Sequence, residues 1–510
     1  MPLIRQKYAH SNGQFHGHRK DSRPQAGYNG GSIPKQGGPM KSPDHERTSW
    51  RTRSIFSSCV HFLRAYNKAI FLGSIFAITV FSSSTHGEDP VVEMDLGDES
   101  NSTDMAFPPP ELGNDLDPRE APDNSAAAWN TPFGQISWPQ IEHKVRFSET
   151  EATVQHKGYN LKLTLRPDLQ GLLERQLAQQ KYVSGAIVIL ESRTGRILAM
   201  AERRGTAESP LPSSKSILVS ATAPAASLMK IVTATAALEK GAIEPESEIV
   251  FHGGCGNLRG QNWLRDSKTD RQKMDLALAF GKSCNSVFAR VAIYETGLTT
   301  LKEFAERYMF NKPIPSDLLL ETSAAFMPSP ETATPYDVGL AGAGFGASRL
   351  SPIHSAMLSA ATGNGGMLMA PYLVESATDA SGREVYKATP KPIARLFSEN
   401  TAKKMAILMQ ETIVAGTSRK YFRKKGTRAD RFEIGGKTGT LSDPEDRGTL
   451  YTWFSGVAPL ESQHSVAIGT LVASPQNWLV RASALAQASL SEYLRIERRL
   501  AKMATADSKK

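Results

Sequence analysis

Hydrophobic positions are spread very unevenly along the chain, and from about residue 141 they settle into short repeating patterns. "KVRFSETEATV" and "YNLKLTLRPDL" alternate apolar and polar residues, the period of two that predicts half-buried strands. "DLQGLLERQLAQQ" spaces its leucines as one face of a helix, and Asp168 at its start suits a helix N-terminus. "SGAIVILESRTGRILAMAERRG" predicts a strand, a turn at Thr194–Gly195 and a second strand, which together make a hairpin. A loop rich in Ser, Pro and Thr (205–223) leads into "TAPAASLMKIVTATAALEKG", an alanine-rich run with the character of a helix. Residues 272–310 and 352–362 are mostly helical in pattern. "FEIGGKTGT", "TLYTWFSGVAPL" and "HSVAIGTLVAS" predict three further strands, and "ASALAQASLSEYLRIERRLA" predicts a closing helix. Strands at both ends with helices between them predict one mixed sheet assembled from distant segments. No internal repeat interrupts this order.

The residues before 141 follow other rules. Residues 1–67 carry a net charge of roughly +8, with much Gly, Ser, Gln and Pro, a composition that predicts disorder. Residues 85–130 reverse the sign to roughly −11, and with "PPP" at 108–110 the stretch 85–140 is expected to be an acidic, Pro-rich linker. Between them, "KAIFLGSIFAITVFSSS" (68–84) holds an apolar run shorter than the ~20 residues that comfortably span a bilayer. Basic residues ahead of it and acidic ones behind fit an anchor with its N-terminus inside. The small residues Ser82 to Ser84 fit a cleavable signal as well, and a buried helix is the third reading. Under either of the first two, the patterned part of the chain is exported. The basic tail has no aromatic-interleaved motif for nucleic acid, so a segment beside the membrane surface is favoured. Residues 501–510 are expected to be a disordered tail.

Three cysteines in 510 residues do not make a disulfide framework. Cys59 precedes the apolar run, so Cys255 and Cys284 are the one pair that exported chemistry could join, and spacing does not say whether they meet. Cys284 on its own reads as a small buried residue filling a turn. Cys255 lies near His252 in "HGGCGNL", but two such residues do not make a zinc site, and nothing else in the pattern calls for a metal or cofactor.

Ser227 and Lys230, three apart, share one face if "SLMK" is helical. Taken alone the pair is better explained as structural, since Ser32 and Lys35 repeat the spacing in the basic tail. Two further motifs follow in order: Ser283, Cys284 and Asn285 in a break between helix-like segments, and Lys437, Thr438, Gly439 and Thr440 in a strand-like run. A serine hydroxyl needs a base to become a nucleophile, and a lysine serves when burial and a neighbouring cation lower its pKa. Ser227 stands near a helix start, where free N–H groups and the dipole favour an oxyanion. "EIGGKTGT" reads as an edge strand whose small residues admit a ligand against the backbone.

This ordered set resembles the transpeptidase domain of penicillin-binding proteins, the serine acyltransferases that crosslink peptidoglycan, and its motifs are those known for these proteins and class A β-lactamases. "LTLRPDLQ", "GAIVILESRTGRILAMA", "GAGFGASRLSPIHSAMLSAATGNGGMLMAPYLV" and "YTWFSGVAPL" resemble family segments in the usual order, from about residue 160 to 495. The resemblance implies an α+β fold: a mixed, mainly antiparallel sheet with helices on both faces, plus an all-helical subdomain, in a domain spanning 141–500. It also implies acylation of Ser227 by a stem peptide ending in D-Ala–D-Ala, with Lys230 as general base and Ser283 relaying a proton to the leaving amine. Asn285 would bind the acyl-donor amide and orient Lys230, while Lys437, Thr438 and Thr440 would bind the terminal carboxylate beside Gly439. The N–H groups of Ser227 and Thr440 would form the oxyanion hole. No cofactor or metal is implied. The implied partners are stem peptides, β-lactams, the inner membrane through the N-terminal segment, and other cell-wall synthesis proteins, with no nucleic acid. The implied location is the bacterial inner membrane, with the catalytic domain in the periplasm.

The chain also departs from the family pattern. The region between the apolar segment and residue 141 is too short and acidic for a glycosyltransferase domain or a conventional N-terminal pedestal, which fits a stand-alone, class-B-like enzyme. "APAA" before Ser227 lacks the glycine often found there. Two enzyme alternatives remain: a D,D-carboxypeptidase, if water replaces the acceptor amine, and a β-lactamase, disfavoured because no "ExxLN"-like segment lies between "SCN" and "KTGT". A non-catalytic β-lactam-binding scaffold is disfavoured by the intact Ser227, Lys230 and Lys437.

Overall fold

The computed structural model describes residues 129–179, 184–204, 215–423, 433–442, 449–460, 462–475 and 481–507. The expected basic tail 1–67, the apolar run 68–84 and the first part of the expected linker lie outside these residues. Among the described residues no helix is long and apolar enough to cross a membrane.

The folded part starts earlier than residue 141. Trp129, Phe133, Ile136, Trp138 and Ile141 are buried, the last two on the single-turn helix α1 (Trp138–Ile141). Ile136 donates its N–H to Asp317 and accepts one from Leu319. The expected linker boundary at 140 is therefore corrected to a point before Trp129. These apolar residues follow no helical or strand period, so the pattern hid them.

Strands β1 (Arg146–Phe147), β2 (Ala152–His156) and β3 (Tyr159–Leu163) form an antiparallel meander. Helix α2 (Pro167–Ala178) and the hairpin β4 (Ser184–Glu191) and β5 (Ile197–Arg203) follow as the pattern predicts. After the two-residue β6 (Ala223–Pro224) a 3₁₀ turn leads into α3 (Met229–Glu239), in which Met229 through Leu238 are all buried. The expected helical stretch from 272 opens instead with a strand: β7 (Glu248–Phe251) pairs with β8 (Gln272–Asp275). Asp275 then caps α4 (Leu276–Gly281) by accepting the N–H of Leu278. Helix α5 (Asn285–Arg290), a π-helical turn over Val291–Thr296, α6 (Leu298–Arg307) and α7 (Pro335–Ala343) complete a helical layer around α3.

The chain returns through β9 (Arg349–Leu350), which pairs with β6, and α8 (Pro352–Gly363). Next come β10 (Met367–Met369), β11 (Val374–Thr378), β12 (Glu384–Lys387), β13 (Pro392–Arg395), α9 (Glu399–Val414) and α10 (Arg419–Phe422). Strands β14 (Gly435–Ser442), β15 (Thr449–Ala458) and β16 (Val466–Pro475) precede α11 (Ala482–Asp507). The helix thus runs through most of the expected disordered tail 501–510.

The central sheet has the order β14-β15-β16-β4-β5, antiparallel at every pair. Its strands feed two cores by simple alternation. Ala186, Val188 and Leu190 of β4 join the larger core, and Ile187 and Ile189 the smaller. Leucines of α2 and α11 cover the smaller core; α8 and the helical layer cover the larger. The α+β class, with helices on both sheet faces and a helical subdomain, is as expected. The single sheet is not: β1, β2 and β3 join β11 and β12 in a second five-stranded sheet. Alternation identifies strands, but only tertiary packing selects their partners.

Candidate active site

Ser227 is the middle residue of the 3₁₀ turn Ala226–Leu228, immediately ahead of α3. Ala226 before it has φ 51°, left-handed backbone that non-glycine residues adopt reluctantly and that concentrates at functional sites. The turn is held in place from two sides. The Trp453 indole on β15 donates to the Pro224 carbonyl at 2.8 Å. Gly344, at the C-terminus of α7 with φ 87°, lies so close that a Cβ there would stand 2.1 Å from the Ala226 carbonyl oxygen.

Lys230, the second residue of α3 and about one turn on from Ser227, is fully buried. Its Nζ lies 2.8 Å from Ser227 Oγ, 2.6 Å from Asn285 Oδ1 and 2.5 Å from the Ala343 carbonyl. All three partners are neutral oxygens. Burial, and then the charge of nearby Lys437, hold the Lys230 amine well below the ordinary lysine range. Lys437, also fully buried, is brought down to about 7 by burial.

An aromatic pair links the three motifs. The Phe280 and Phe288 rings lie 6.0 Å apart on the two helices flanking the Ser283–Asn285 turn. Lys230 Nζ sits 5.8 Å from the Phe288 ring centre, and Lys437 Nζ sits 5.5 Å from that of Phe280. The turn itself is tight: Ser283 has φ 58°. Ser283 is half-buried there, and among the described residues its hydroxyl bonds to neither lysine. Asn285 opens α5, its Nδ2 donating to the Gly256 carbonyl at 2.6 Å and its N–H to Cys255 at 2.9 Å.

Lys437, Thr438, Gly439 and Thr440 lie on β14, the edge strand that their small neighbours predicted. Register places Lys437 opposite Ser455 and Gly439 opposite Trp453. Lys437 Nζ donates to the Thr438 carbonyl at 2.9 Å. The Thr438 hydroxyl is hydrogen-bonded to that of Thr417 at 2.6 Å, and Thr440 is exposed. Ser227, Lys230 and Asn285 are thus in direct contact, Lys437 acts on Lys230 through its charge, and the threonines stand on the adjoining strand edge.

Three participants escaped the sequence: the Ala343 carbonyl, the Gly256 carbonyl and the Thr417 hydroxyl. Carbonyls have no residue signature, although Gly344 in "GAGFGAS" marks the close approach beside the first. Thr417 sits in "AGTSRK", which carries no signal. Cys284, which on its own reads as filling the turn and whose pairing the spacing leaves open, is disulfide-bonded to Cys255. The metal reading of Cys255 and His252 gives way accordingly: the Cys255 sulfur is in the disulfide, and His252 pairs with Asp270 at 2.7 Å. Among the described residues no cluster of His, Cys, Asp and Glu could hold a metal ion.

Comparison with known proteins gives the family and the fold. Residues 185–492 match the family model described as the penicillin-binding protein transpeptidase domain. The chain is 27% identical over 347 residues to the peptidoglycan D,D-transpeptidase PbpA of Mycobacterium tuberculosis, an alignment covering 62% of this chain and 67% of that protein. Among solved structures, the D,D-transpeptidase domain of a peptidoglycan glycosyltransferase from Eggerthella lenta superposes with a TM-score of 0.55 at 26% identity, covering 66% of this chain and 83% of that one. The penicillin G acyl-enzyme complex of penicillin-binding protein A from M. tuberculosis gives a TM-score of 0.55 at 25% identity, covering 67% and 82%.

Proposed function

Since this chain belongs to the penicillin-binding protein transpeptidase family, we propose that it is a serine-type peptidoglycan D,D-transpeptidase working through an acyl-enzyme on Ser227. The observation that carries the assignment of roles is the environment of Lys230. A neutral amine has two N–H bonds and one lone pair. The Asn285 Oδ1 and the Ala343 carbonyl are placed to accept the two hydrogens, which turns the lone pair toward Ser227 Oγ at 2.8 Å. Burial, and then the charge of Lys437, lower its pKa and so favour this neutral form. Lys230 thereby takes the hydroxyl proton as Ser227 attacks the carbonyl of the penultimate D-Ala.

The Ser227 and Thr440 N–H groups receive the negative charge that develops on that carbonyl. In this reading Ser283 passes the proton on from Lys230 to the departing D-Ala amine. Lys437, Thr438 and Thr440 hold the terminal carboxylate, and Thr417 extends this row of hydroxyls through Thr438. The amine of a second stem peptide then attacks the ester and releases Ser227. β-Lactams enter by the same acylation. We place the domain outside the cytoplasmic membrane, carried by the apolar segment 68–84, where crosslinking occurs and where other cell-wall synthesis proteins work.

The test is covalent labelling of the purified protein by a fluorescent penicillin, beside Ser227→Ala. Stable one-to-one label on the parent and none on the variant is expected. No label on a folded parent overturns the assignment, and label that forms and vanishes within seconds marks a β-lactamase. Incubation with a peptide ending in D-Ala–D-Ala, with and without an acceptor amine, then separates crosslinking from carboxypeptidase hydrolysis.

A further inference from the structure

Asn285 can orient Lys230 only if its amide presents oxygen, and not nitrogen, to the lysine. Nothing within the amide sets that choice; the group on its other side does. Here that group is the Gly256 carbonyl, which accepts from Nδ2 at 2.6 Å. Gly256 belongs to the long connection between β7 and β8, which is rich in glycine: Gly253, Gly254 and Gly260 all have positive φ. Such a segment does not hold its carbonyls in place unaided. Three consecutive carbonyls nonetheless converge on the first turn of α5: Gly254 accepts from Ser286 Oγ at 2.7 Å, Cys255 from the Asn285 N–H at 2.9 Å and Gly256 from the Asn285 amide. The Cys255–Cys284 disulfide ties the same place.

The rest of the connection is gathered by one side chain from the other end of α5. Arg290 is only 2% exposed. Its guanidinium donates to the carbonyls of Val250 at 2.8 Å and Asn262 at 3.0 Å, and to that of Leu264. It also grips both oxygens of Asp270, at 2.7 and 2.8 Å, while His252 pairs with the same carboxylate at 2.7 Å. All five N–H directions of a guanidinium suit such a multi-point clamp, whereas an ammonium offers only three from one centre.

We infer that Arg290 is a positioning residue for the acylation step, locking the 250–270 connection so that the Gly256 carbonyl holds the Asn285 amide with its oxygen toward Lys230. One short helix carries both the clamp and the group clamped, so a shift of the connection reaches Asn285 directly. This inference rests on the proposed role of Asn285 and adds to it a device that the sequence motif does not contain.

A double-mutant cycle on the full-length protein tests it, reading separately the rate constant of penicillin acylation at saturation and the fraction of protein that labels. Asn285→Ala should slow acylation. Arg290→Lys should slow it too, on the order of tenfold or more, as expected for small displacements of catalytic groups. In the Asn285→Ala background the Arg290→Lys effect should vanish, because both act through one contact. A purely structural role would instead lower the labelled fraction and leave the rate constant of the rest unchanged, which overturns the inference. Slowing by Arg290→Lys that persists in full in the Asn285→Ala background also overturns it, while the role of Asn285 stands. An unaffected Asn285→Ala variant removes that role and the inference with it. Should Arg290→Lys not fold, Asp270→Asn, which weakens the carboxylate grip that fixes the guanidinium, completes the same cycle with the same outcomes.

Discussion

At the scale of single residues, the site depends on placing two lysine amines where water does not reach. Lys230 and Lys437 are both fully buried, and among the described residues no carboxylate is a hydrogen-bond partner of either. The reactive species has a neutral Lys230, so acylation should rise with pH along a limb well below the ordinary lysine pKa of 10.5. Lys437→Met removes the neighbouring charge and should move this limb to higher pH; a pH profile of saturated acylation that stays in place or moves down would contradict the electrostatic account. The same substitution has a second signature. Lys437 has a folded pKa of about 7 against 10.5 for an ordinary lysine. Between those values the unfolded chain binds more protons, so this lysine's contribution to stability rises with pH across that window and is least favourable below it. Lys437→Met should therefore melt at a higher temperature than the parent at neutral pH, even as it loses donor binding. A site stabilised by removing one of its own residues is the usual mark of function held against stability.

At the scale of elements, helix α7 delivers the Ala343 carbonyl. A capping box starts it, with Thr334 and Asp337 exchanging side-chain and backbone hydrogen bonds, and Gly344 ends it in left-handed backbone. The negative end of its dipole meets Lys230 and partly opposes the effect of burial there. Gly344→Ala tests how closely α7 must approach the Ser227 turn. A methyl at Gly344 would lie 2.1 Å from the Ala226 oxygen, a backbone atom with little room to move. Gly382 has a similar φ of 83° and nothing within 4 Å of its imagined Cβ. Gly382→Ala should cost about 1 kcal/mol, the left-handed backbone term alone. Gly344→Ala should cost more and slow acylation at least tenfold, as read by urea denaturation and labelling rate. Equal effects from the two would show that the approach is loose. The ordered motifs were legible because they are side chains of rare types in fixed spacing. The acceptors on Lys230 and Asn285 were not legible, because any residue can supply a carbonyl and only the path of α7 or the β7–β8 connection decides which one does.

At the scale of the whole folded unit, the central sheet joins the hairpin β4–β5 to β14–β16, segments far apart in sequence, through the long register between β4 and β16. Residues 129–141 fasten onto this body by Phe133, Ile136, Trp138 and Ile141 in the larger core. A chain begun at residue 142 should lose several kcal/mol relative to one begun at Trp129, at about 1.5–3 kcal/mol for each large apolar side chain left without its place. Matching melting curves for the two would mean that this segment only rests on the surface. The sequence by itself determined the five strands of the central sheet, the helices α2, α3, α8 and α11, the α+β class, and the side chains of the three motifs, because period, turn chemistry and rare spacings are local properties that survive in a string of letters. Tertiary structure alone decided that the strands divide into two sheets, that residues 129–141 belong to the folded body, that Cys255 meets Cys284, and which carbonyls orient Lys230 and Asn285. Each of these depends on which distant segments come together, and a segment's own pattern records its need for a partner without recording the partner's identity.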